Sequence, residues 1–139
     1  MAIVLPDSIL GAPGLVHIRK WLLRHTRIIA SLDLHADTFQ PRNGTQTSIL
    51  ILQKKTSKEL LEPDWNYSIF MTMIEKVGHD KRGNPIFKRD ENGEILYFKH
   101  ISFNENGDIE EIDEPELDDQ TFLVPEIFAD WKKKEGISW

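Results

Sequence analysis

Among the residue types that could take part in catalysis, the carboxylates are the most concentrated along this sequence. Nine of the residues between positions 105 and 119 are Asp or Glu, and this stretch is called the acidic run below. Two carboxylates can divide the roles of general acid and general base in hydrolysis when their surroundings separate their pKa values. A run of like charges this dense is more typical of a solvated, mobile segment. The acidic run therefore predicts a solvated loop or a docking surface.

The other reactive side chains do not form a recognisable constellation. The chain has no Cys, and its five histidines lack metal-ligand spacing: His17, His25, His35, His79 and His100. We therefore predict no metal site and no thiol chemistry. No Gly-x-Ser-x-Gly elbow is present to indicate a serine nucleophile. Asp7 follows an apolar run, where α/β sheets bind ligands, although an Asp there also caps turns.

Cations in and beside the loops are candidate contacts to phosphate. They are Arg42, Lys54, Lys55, Lys81 and Arg82, with Lys88 and Arg89 further along the chain. The alternative is that they only keep the surface soluble, since the net charge is −6 and repels DNA on average. Any DNA contact must therefore come from a local cluster of these cations or from a partner's surface.

A strand–helix–strand unit comes first among the elements that would position these groups. Residues 1–6 are apolar without alternation, which predicts a strand covered on both faces. Leu15, Ile18, Trp21 and Leu22 recur at helical spacing and predict a helix over residues 15–25. Residues 28–34 read as a second strand, parallel and adjacent to the first. We expect this chain to be the trailing part of a longer domain, because buried strands seldom begin one. The alternative is that residues 1–6 form a native edge strand with a free amino end.

The rest of the chain predicts a β-rich extension and a closing helix. A long loop over residues 35–47 leads to an antiparallel strand over 48–52, and loops of this length are usually functional or disordered. The stretch 67–77 fits a helix or a strand, and we favour a strand. Turns rich in Asn and Gly at 78–85, 90–93 and 104–107 predict hairpins. Residues 125–134 begin with Pro, carry a terminal Lys triplet and predict a helix that Gly136 ends.

Several segments, in this order, resemble a known family. They are Val4-Leu5-Pro6-Asp7, Ile18-Arg19-Lys20-Trp21-Leu22-Leu23, Ile29-Ala30-Ser31-Leu32, Thr38-Phe39 and Gly44-Thr45-Gln46-Thr47-Ser48-Ile49-Leu50-Ile51-Leu52-Gln53-Lys54-Lys55. Together they resemble the modification subunits of type I restriction-modification systems, within the N-6 adenine DNA methylases. The resemblance covers residues 1–55 well, extends to 70–83 and is loose in the last third.

The resemblance implies an α/β fold in three parts. Residues 1–55 would be the C-terminal half of a Rossmann-like class I S-adenosylmethionine-dependent methyltransferase sheet, mixed, with an antiparallel hairpin. Residues 56–104 would be a connector and a β-hairpin extension. Residues 105–139 would be an acidic loop and a C-terminal helix.

The implied activity is methyl transfer from S-adenosylmethionine to adenine N6 in DNA, alongside a specificity subunit and a restriction subunit. Two family motifs are absent: the Gly-rich cofactor loop and the Asn-Pro-Pro-aromatic catalytic tetrapeptide. Asn84-Pro85-Ile86-Phe87 lacks the second Pro and predicts a turn instead. No catalytic residue is therefore predicted in this chain, which we do not expect to be active without the missing half of its domain.

Phe39 is the site residue that the resemblance implies. In the family an aromatic side chain in this loop stacks on the extruded target base, and a base must leave the duplex before its amine can react. The alternative is that Phe39 plugs the core beneath a long loop.

A non-catalytic docking module derived from the same sheet is the alternative function. It would bind partners through the acidic run and the exposed start of the sheet. In either case the absence of Cys, of a leader and of a long apolar run predicts a cytoplasmic protein without a membrane segment.

Overall fold

A computed structural model describes residues 1–137, and they form an α/β fold with a mixed sheet, a separate hairpin and a C-terminal helix. The strands are β1 Ala2–Pro6, β2 Thr26–Asp33, β3 Thr47–Lys54, β4 Phe70–Met73, β5 Tyr97–Phe103 and β6 Ile109–Pro115. The helices are α1 Asp7–Gly11, α2 Val16–His25, α3 Ser57–Leu61 and α4 Val124–Lys134. No helix in residues 1–137 has the length and apolar character that crossing a membrane requires.

The main sheet has the order β1-β3-β2-β4. Strand β3 pairs antiparallel with β1 on one side and with β2 on the other, and β4 is parallel to β2. The prediction that the first two strands are neighbours is therefore wrong. Strands β1 and β2 run in the same direction because α2 connects them as a crossover. Strand β3 folds back from β2 and lies between β1 and β2.

Strand β1 is also less covered than predicted. It lies at an edge of the sheet, alternate residues face solvent, and Val4 is 48% exposed. The continuous apolar run of residues 1–6 predicted a strand buried on both faces. Within residues 1–137, however, β1 is an edge strand that pairs with β3 alone.

The core lies between the centre of the sheet and α4. Ala30, Leu32 and Leu34 project from one face of β2 and pack with Phe70 and Ile74. Val124, Phe128 and Trp131 of α4 cover that cluster. The spacing of Ile127, Phe128 and Trp131 predicted one common face, but Ile127 is 48% exposed and lies outside the cluster. Gly136 ends the helix with φ 67°, a conformation that favours glycine. The predicted strand in residues 67–77 is confirmed as β4.

Helix α2 confirms the predicted helix to within one residue at its start. Its C-terminal carbonyls have partners that fix the helix against the sheet. Thr26 donates its backbone N–H and its hydroxyl to Leu22 O, and Lys55 donates its backbone N–H to His25 O and its ammonium to Leu23 O. Trp21 faces solvent and stacks on His25, so it does not belong to the buried stripe that its spacing predicted.

The acidic run is ordered, contrary to the prediction of a mobile loop. Its middle forms β6, which pairs antiparallel with β5 from Phe103↔Ile109 to Tyr97↔Pro115. The turn at residues 104–107 joins the two strands, with Gly107 at φ 83°. Ile109 and Ile112 lie among the acids on opposite faces of β6, and the segment forms a strand although most of its charges face solvent.

Candidate functional site

One edge of the main sheet gathers three strand ends and the long loop. Because β1 and β2 both run antiparallel to β3, and β4 runs parallel to β2, the carboxyl ends of β1, β2 and β4 meet at the same edge. Strand β3 starts there. This carboxyl edge is where α/β sheets commonly bind ligands.

Polar side chains at the carboxyl edge are linked to one another. The Ser48 hydroxyl donates to Asp7 Oδ1 at 2.9 Å, and Gln46 Nε2 lies 3.5 Å from Asp33 Oδ1. Asp7 is therefore at the strand end, as its position predicted, and it also begins α1. The buried hydroxyl of Thr47 has no hydrogen-bond partner in residues 1–137.

Phe39 projects from the loop between β2 and β3. The loop is closed at its base by the Leu34 N–H, which donates to Thr47 O at 3.0 Å. Within it, Phe39 O accepts hydrogen bonds from the N–H groups of Arg42 and Asn43 at 3.2 and 2.9 Å. The Phe39 residue is 41% exposed. A residue with this exposure is not buried in the core, which counts against the alternative of a core plug.

The turn at residues 78–85 lies directly against this loop. A Cβ at Gly83 would stand 3.3 Å from Pro41 Cδ, and Gly83 has φ 84°, so the close approach and the backbone both require glycine. Exposed Lys81 and Arg82 in the turn and exposed Arg42 in the loop therefore belong to neighbouring segments. The structure brings these three predicted cations to the side of the molecule that carries Phe39.

Asp80 organises that turn. Its carboxylate accepts hydrogen bonds from the Asn84 side chain, the Asn84 N–H and the Arg82 N–H at 2.9, 2.9 and 2.7 Å. These bonds, with the Asn84 side chain the strongest cause, lower the pKa of Asp80 below its ordinary value. The tight turn itself lies at Lys81 and Arg82, and the prediction that Asn84-Pro85-Ile86-Phe87 forms it is wrong. This tetrapeptide follows the turn, and Pro85 pairs with His79 while Phe87 pairs with Leu117.

A cleft of about 210 Å³ separates the loop from the segment after β4. His35 and Asp37 line it from the loop, and His79, Asp80 and Asp118 line it from the opposite side. His35 Nδ1 accepts the Asp37 N–H at 3.1 Å. No motif in the sequence marked these residues as a group. The sequence gives one indication of this group, which is that His35 lies just after the end of β2.

Lys54 and Lys55 lie at the end of β3 away from the Phe39 loop, so the structure does not group them with the other predicted cations. They follow β3 to its far end, and a rise of about 3.3 Å per residue puts Lys54 about 23 Å from Thr47. Lys55 is only 6% exposed. Its ammonium donates to Leu23 O at 2.7 Å and stands 4.4 Å from the centre of the Trp65 ring.

The two cations further along the chain are also engaged. Lys88 Nζ is 2.5 Å from Glu116 Oε1, and Arg89 donates to Gly93 O at 2.7 Å. Phosphate contact by either would require breaking these bonds. Arg42, Lys81 and Arg82 thus remain as the predicted cations beside the Phe39 loop.

Gly11 and Gly14 do not form a glycine-rich loop of the kind that would hold S-adenosylmethionine. The glycines nearest to the expected kind of loop, Gly11 and Gly14, end α1 and lie in the 3₁₀ turn before α2. Neither has a positive φ, and a Cβ at either would meet no atom within 4 Å. They therefore do not form a cradle that needs close backbone approach. No group of three or more His, Asp and Glu residues in the described part of the chain could hold a metal ion.

Comparison of the sequence with protein-family models and with curated proteins gives no match. A function for this chain must therefore be inferred from its residues and from their arrangement at the carboxyl edge.

Proposed function

We propose that this chain supplies the target-base side of a DNA adenine-N6 methyltransferase of the type I restriction-modification kind. The observation that carries the proposal is the accessible Phe39 ring on a loop at the carboxyl edge, with Arg42, Lys81 and Arg82 on that loop and on the turn against it. The sheet order agrees with this proposal. An antiparallel strand between two parallel ones also closes the sheet of class I methyltransferases, an analogy of fold alone.

The physical role proposed for Phe39 is to hold an extruded adenine. Taking a base out of the duplex costs a few kcal/mol, and stacking on an aromatic face returns about 1–3 kcal/mol. The loop fixes the backbone at Phe39 through two hydrogen bonds to its carbonyl while its ring stays accessible. A partly ordered platform of this kind loses little entropy when the base stacks on it.

Substituting Phe39→Ala in the complete enzyme should slow methyl transfer about tenfold, because about 1.4 kcal/mol of stacking is lost. The affinity for S-adenosylmethionine should not change, since the proposed cofactor contacts lie outside this loop. The measurement is the initial rate of transfer of a labelled methyl group to duplex DNA, with cofactor affinity measured separately.

Phe39→Trp is the matched variant, because it keeps an aromatic face and should retain most of the rate. Phe103→Ala, which truncates an exposed ring on the separate hairpin, should leave the rate unchanged. A wild-type rate in Phe39→Ala on duplex DNA would remove Phe39 from the base site and would leave the proposal without its main support.

The cations beside Phe39 should account for part of the salt dependence of DNA binding. Replacing Arg42, Lys81 and Arg82 together by Gln in the complete enzyme should reduce the slope of log K against log salt by about 2.7, or about 0.9 per phosphate contact. The slope is measured by fluorescence anisotropy of labelled duplex DNA over a range of salt concentrations.

Lys54→Gln is the control for this experiment, because Lys54 is an exposed cation at the opposite end of β3. It should leave the slope at its wild-type value. An unchanged slope in the triple variant, or an equal change in Lys54→Gln, would show that binding does not use the cation cluster at the loop.

In this proposal the cofactor loop and the catalytic tetrapeptide belong to the other half of the same domain. S-adenosylmethionine supplies the methyl group when bound there, and a specificity subunit and a restriction subunit complete the system. The chain would act with these partners in the cytoplasm.

A second candidate is a docking module without catalysis, and the β5–β6 hairpin favours it. Tyr97, Ile101, Phe103 and Ile109 share one face of that hairpin and are all exposed. A two-stranded sheet with an uncovered apolar face gains little stability alone, so a partner would add to it. Full methylation by the complementing half in the absence of this chain would favour the docking module over the enzyme.

A further inference from the structure

The other face of the hairpin borders a separate concave surface. A groove of about 520 Å³ lies between the hairpin and the 3₁₀ turn Thr121–Leu123 that precedes α4. Its walls are apolar and its rim is acidic, and it is called the acidic groove below. The walls include Phe98, Leu117, Phe122 and Leu123, and the rim includes Glu114, Glu116 and Asp119.

The walls of the acidic groove are unusually accessible for large apolar side chains. Phe122 is 76% exposed, and Phe98, Leu117 and Leu123 are also exposed. Contiguous apolar surface of this kind, bordered by polar residues, is typical of interaction sites in soluble proteins. The volume lies within the range of pockets that bind a ligand or an anchoring side chain.

The rim keeps a net negative charge when the ion pairs of its residues are taken into account. Three carboxylates border the groove, and Lys88 is the one ammonium among the residues that line it in the described part of the chain. Lys88 is already paired with Glu116 at 2.5 Å, while Glu114 lies 3.1 Å from His100 Nδ1. Glu111 and Asp113, which precede the rim in β6, add negative charge to the same strand.

We propose that the acidic groove binds a basic, amphipathic protein segment that inserts an aromatic or long aliphatic side chain between Phe98 and Phe122. Lys or Arg residues of that segment would face the rim carboxylates. Aromatic and Arg side chains are the groups that most often dominate such interfaces. Complementary charge steers the encounter and selects against acidic partners, nucleic acid among them.

This proposal is independent of the methyltransferase proposal. The residues that test the groove, Glu114 and Phe122, belong neither to the Phe39 loop nor to the turn against it. Either function can therefore fail in an experiment without affecting the other.

A matched pair of short labelled peptides tests the groove. Both contain Trp and Leu at alternate positions, and the remaining positions are Lys and Arg in one peptide and Glu in the other. Fluorescence anisotropy with the purified chain should show saturable binding of the basic peptide, weakening as salt rises, and no binding of the acidic one.

Two variants locate the binding. Phe122→Ser should raise the Kd of the basic peptide about tenfold or more, since it removes an apolar wall. Glu114→Gln should raise it severalfold and flatten the salt dependence. Leu61→Ser and Glu62→Gln change an exposed apolar side chain and an exposed carboxylate away from the groove and the hairpin, and should leave the Kd unchanged. All four side chains are exposed, so the variants should fold, which circular dichroism checks.

Three results would overturn the proposal. One is equal binding of both peptides, and another is no binding of either. The third is equal weakening by groove and control variants, which would indicate general attraction to an acidic surface. Sedimentation of the chain alone tests a different occupant: a dimer that Phe122→Ser dissociates would mean that the groove holds a second copy instead.

Discussion

Phe70→Ala should lower the free energy of unfolding by about 3–5 kcal/mol, because it removes a large side chain from the core. Phe70 is 5% exposed and lies on β4 at the centre of the core cluster. Its ring centroid is 5.2 Å from that of Phe128 in an edge-to-face arrangement and 5.5 Å from that of Trp131. Truncation therefore removes buried area, leaves a cavity and breaks two aromatic contacts at once.

The expected loss is a large fraction of the whole stability of a domain, which is about 5–15 kcal/mol. Urea unfolding followed by circular dichroism measures it, with the slope of the transition checked for a change in the unfolded state. Phe70→Leu should lose roughly half as much, because Leu refills part of the space.

Phe103→Ala is the matched control, because the same side chain is removed from an exposed strand. It should change stability by less than about 0.5 kcal/mol. A loss below about 1 kcal/mol for Phe70→Ala would contradict the packing of α4 against β4, which links the C-terminal helix to the main sheet.

Local patterns predicted the elements of this fold much better than their arrangement. The spacing of apolar residues predicted helix α2, and the initial Pro, the Lys triplet and Gly136 predicted helix α4 and its end. The order of the strands depends on which strands pair with one another over long distances in the sequence. The sequence of residues 48–52 does not indicate that β3 pairs with β1 as well as with β2.

The acidic run shows the same limit at the level of one segment. Charge density favoured a mobile loop, while the spaced apolar residues Ile109 and Ile112 are a weaker strand signal. Pairing with the apolar strand β5 determines that this segment forms a strand. The composition of the segment does not contain information about this pairing. The acidic groove was not predicted from the sequence, because Phe98 on β5 and Phe122 in the 3₁₀ turn come to line one groove only in the folded chain.

Of the candidate site, the family resemblance implied Phe39, while residue type and loop position predicted Arg42, Lys81 and Arg82. The adjacency of the loop and the turn needed the structure, because it depends on glycine at position 83 against Pro41. Lys54 and Lys55 are adjacent residues of the same type, so residue type alone could not separate them. Their environments in the folded chain are opposite, and their substitutions should therefore have different effects.

Lys55→Met should lower the free energy of unfolding by about 2 kcal/mol, whereas Lys54→Met should change it by less than about 0.5 kcal/mol. Met keeps most of the apolar stem of Lys55 and removes the ammonium. Leu23 O at the end of α2 then loses its charged donor, and the cation over the Trp65 ring is lost as well. Relief from burying a charge offsets part of this loss, so the net effect stays below that of Phe70→Ala.

The measurement is urea unfolding of both variants beside wild type, together with the affinity of the complete enzyme for duplex DNA. A buried helix-capping Lys55 predicts lower stability and unchanged DNA affinity. Wild-type stability combined with weaker DNA binding in Lys55→Met would mean that the ammonium is free to reach phosphate after all. The environment of one side chain thus decides between a structural role and a binding role that residue type left open.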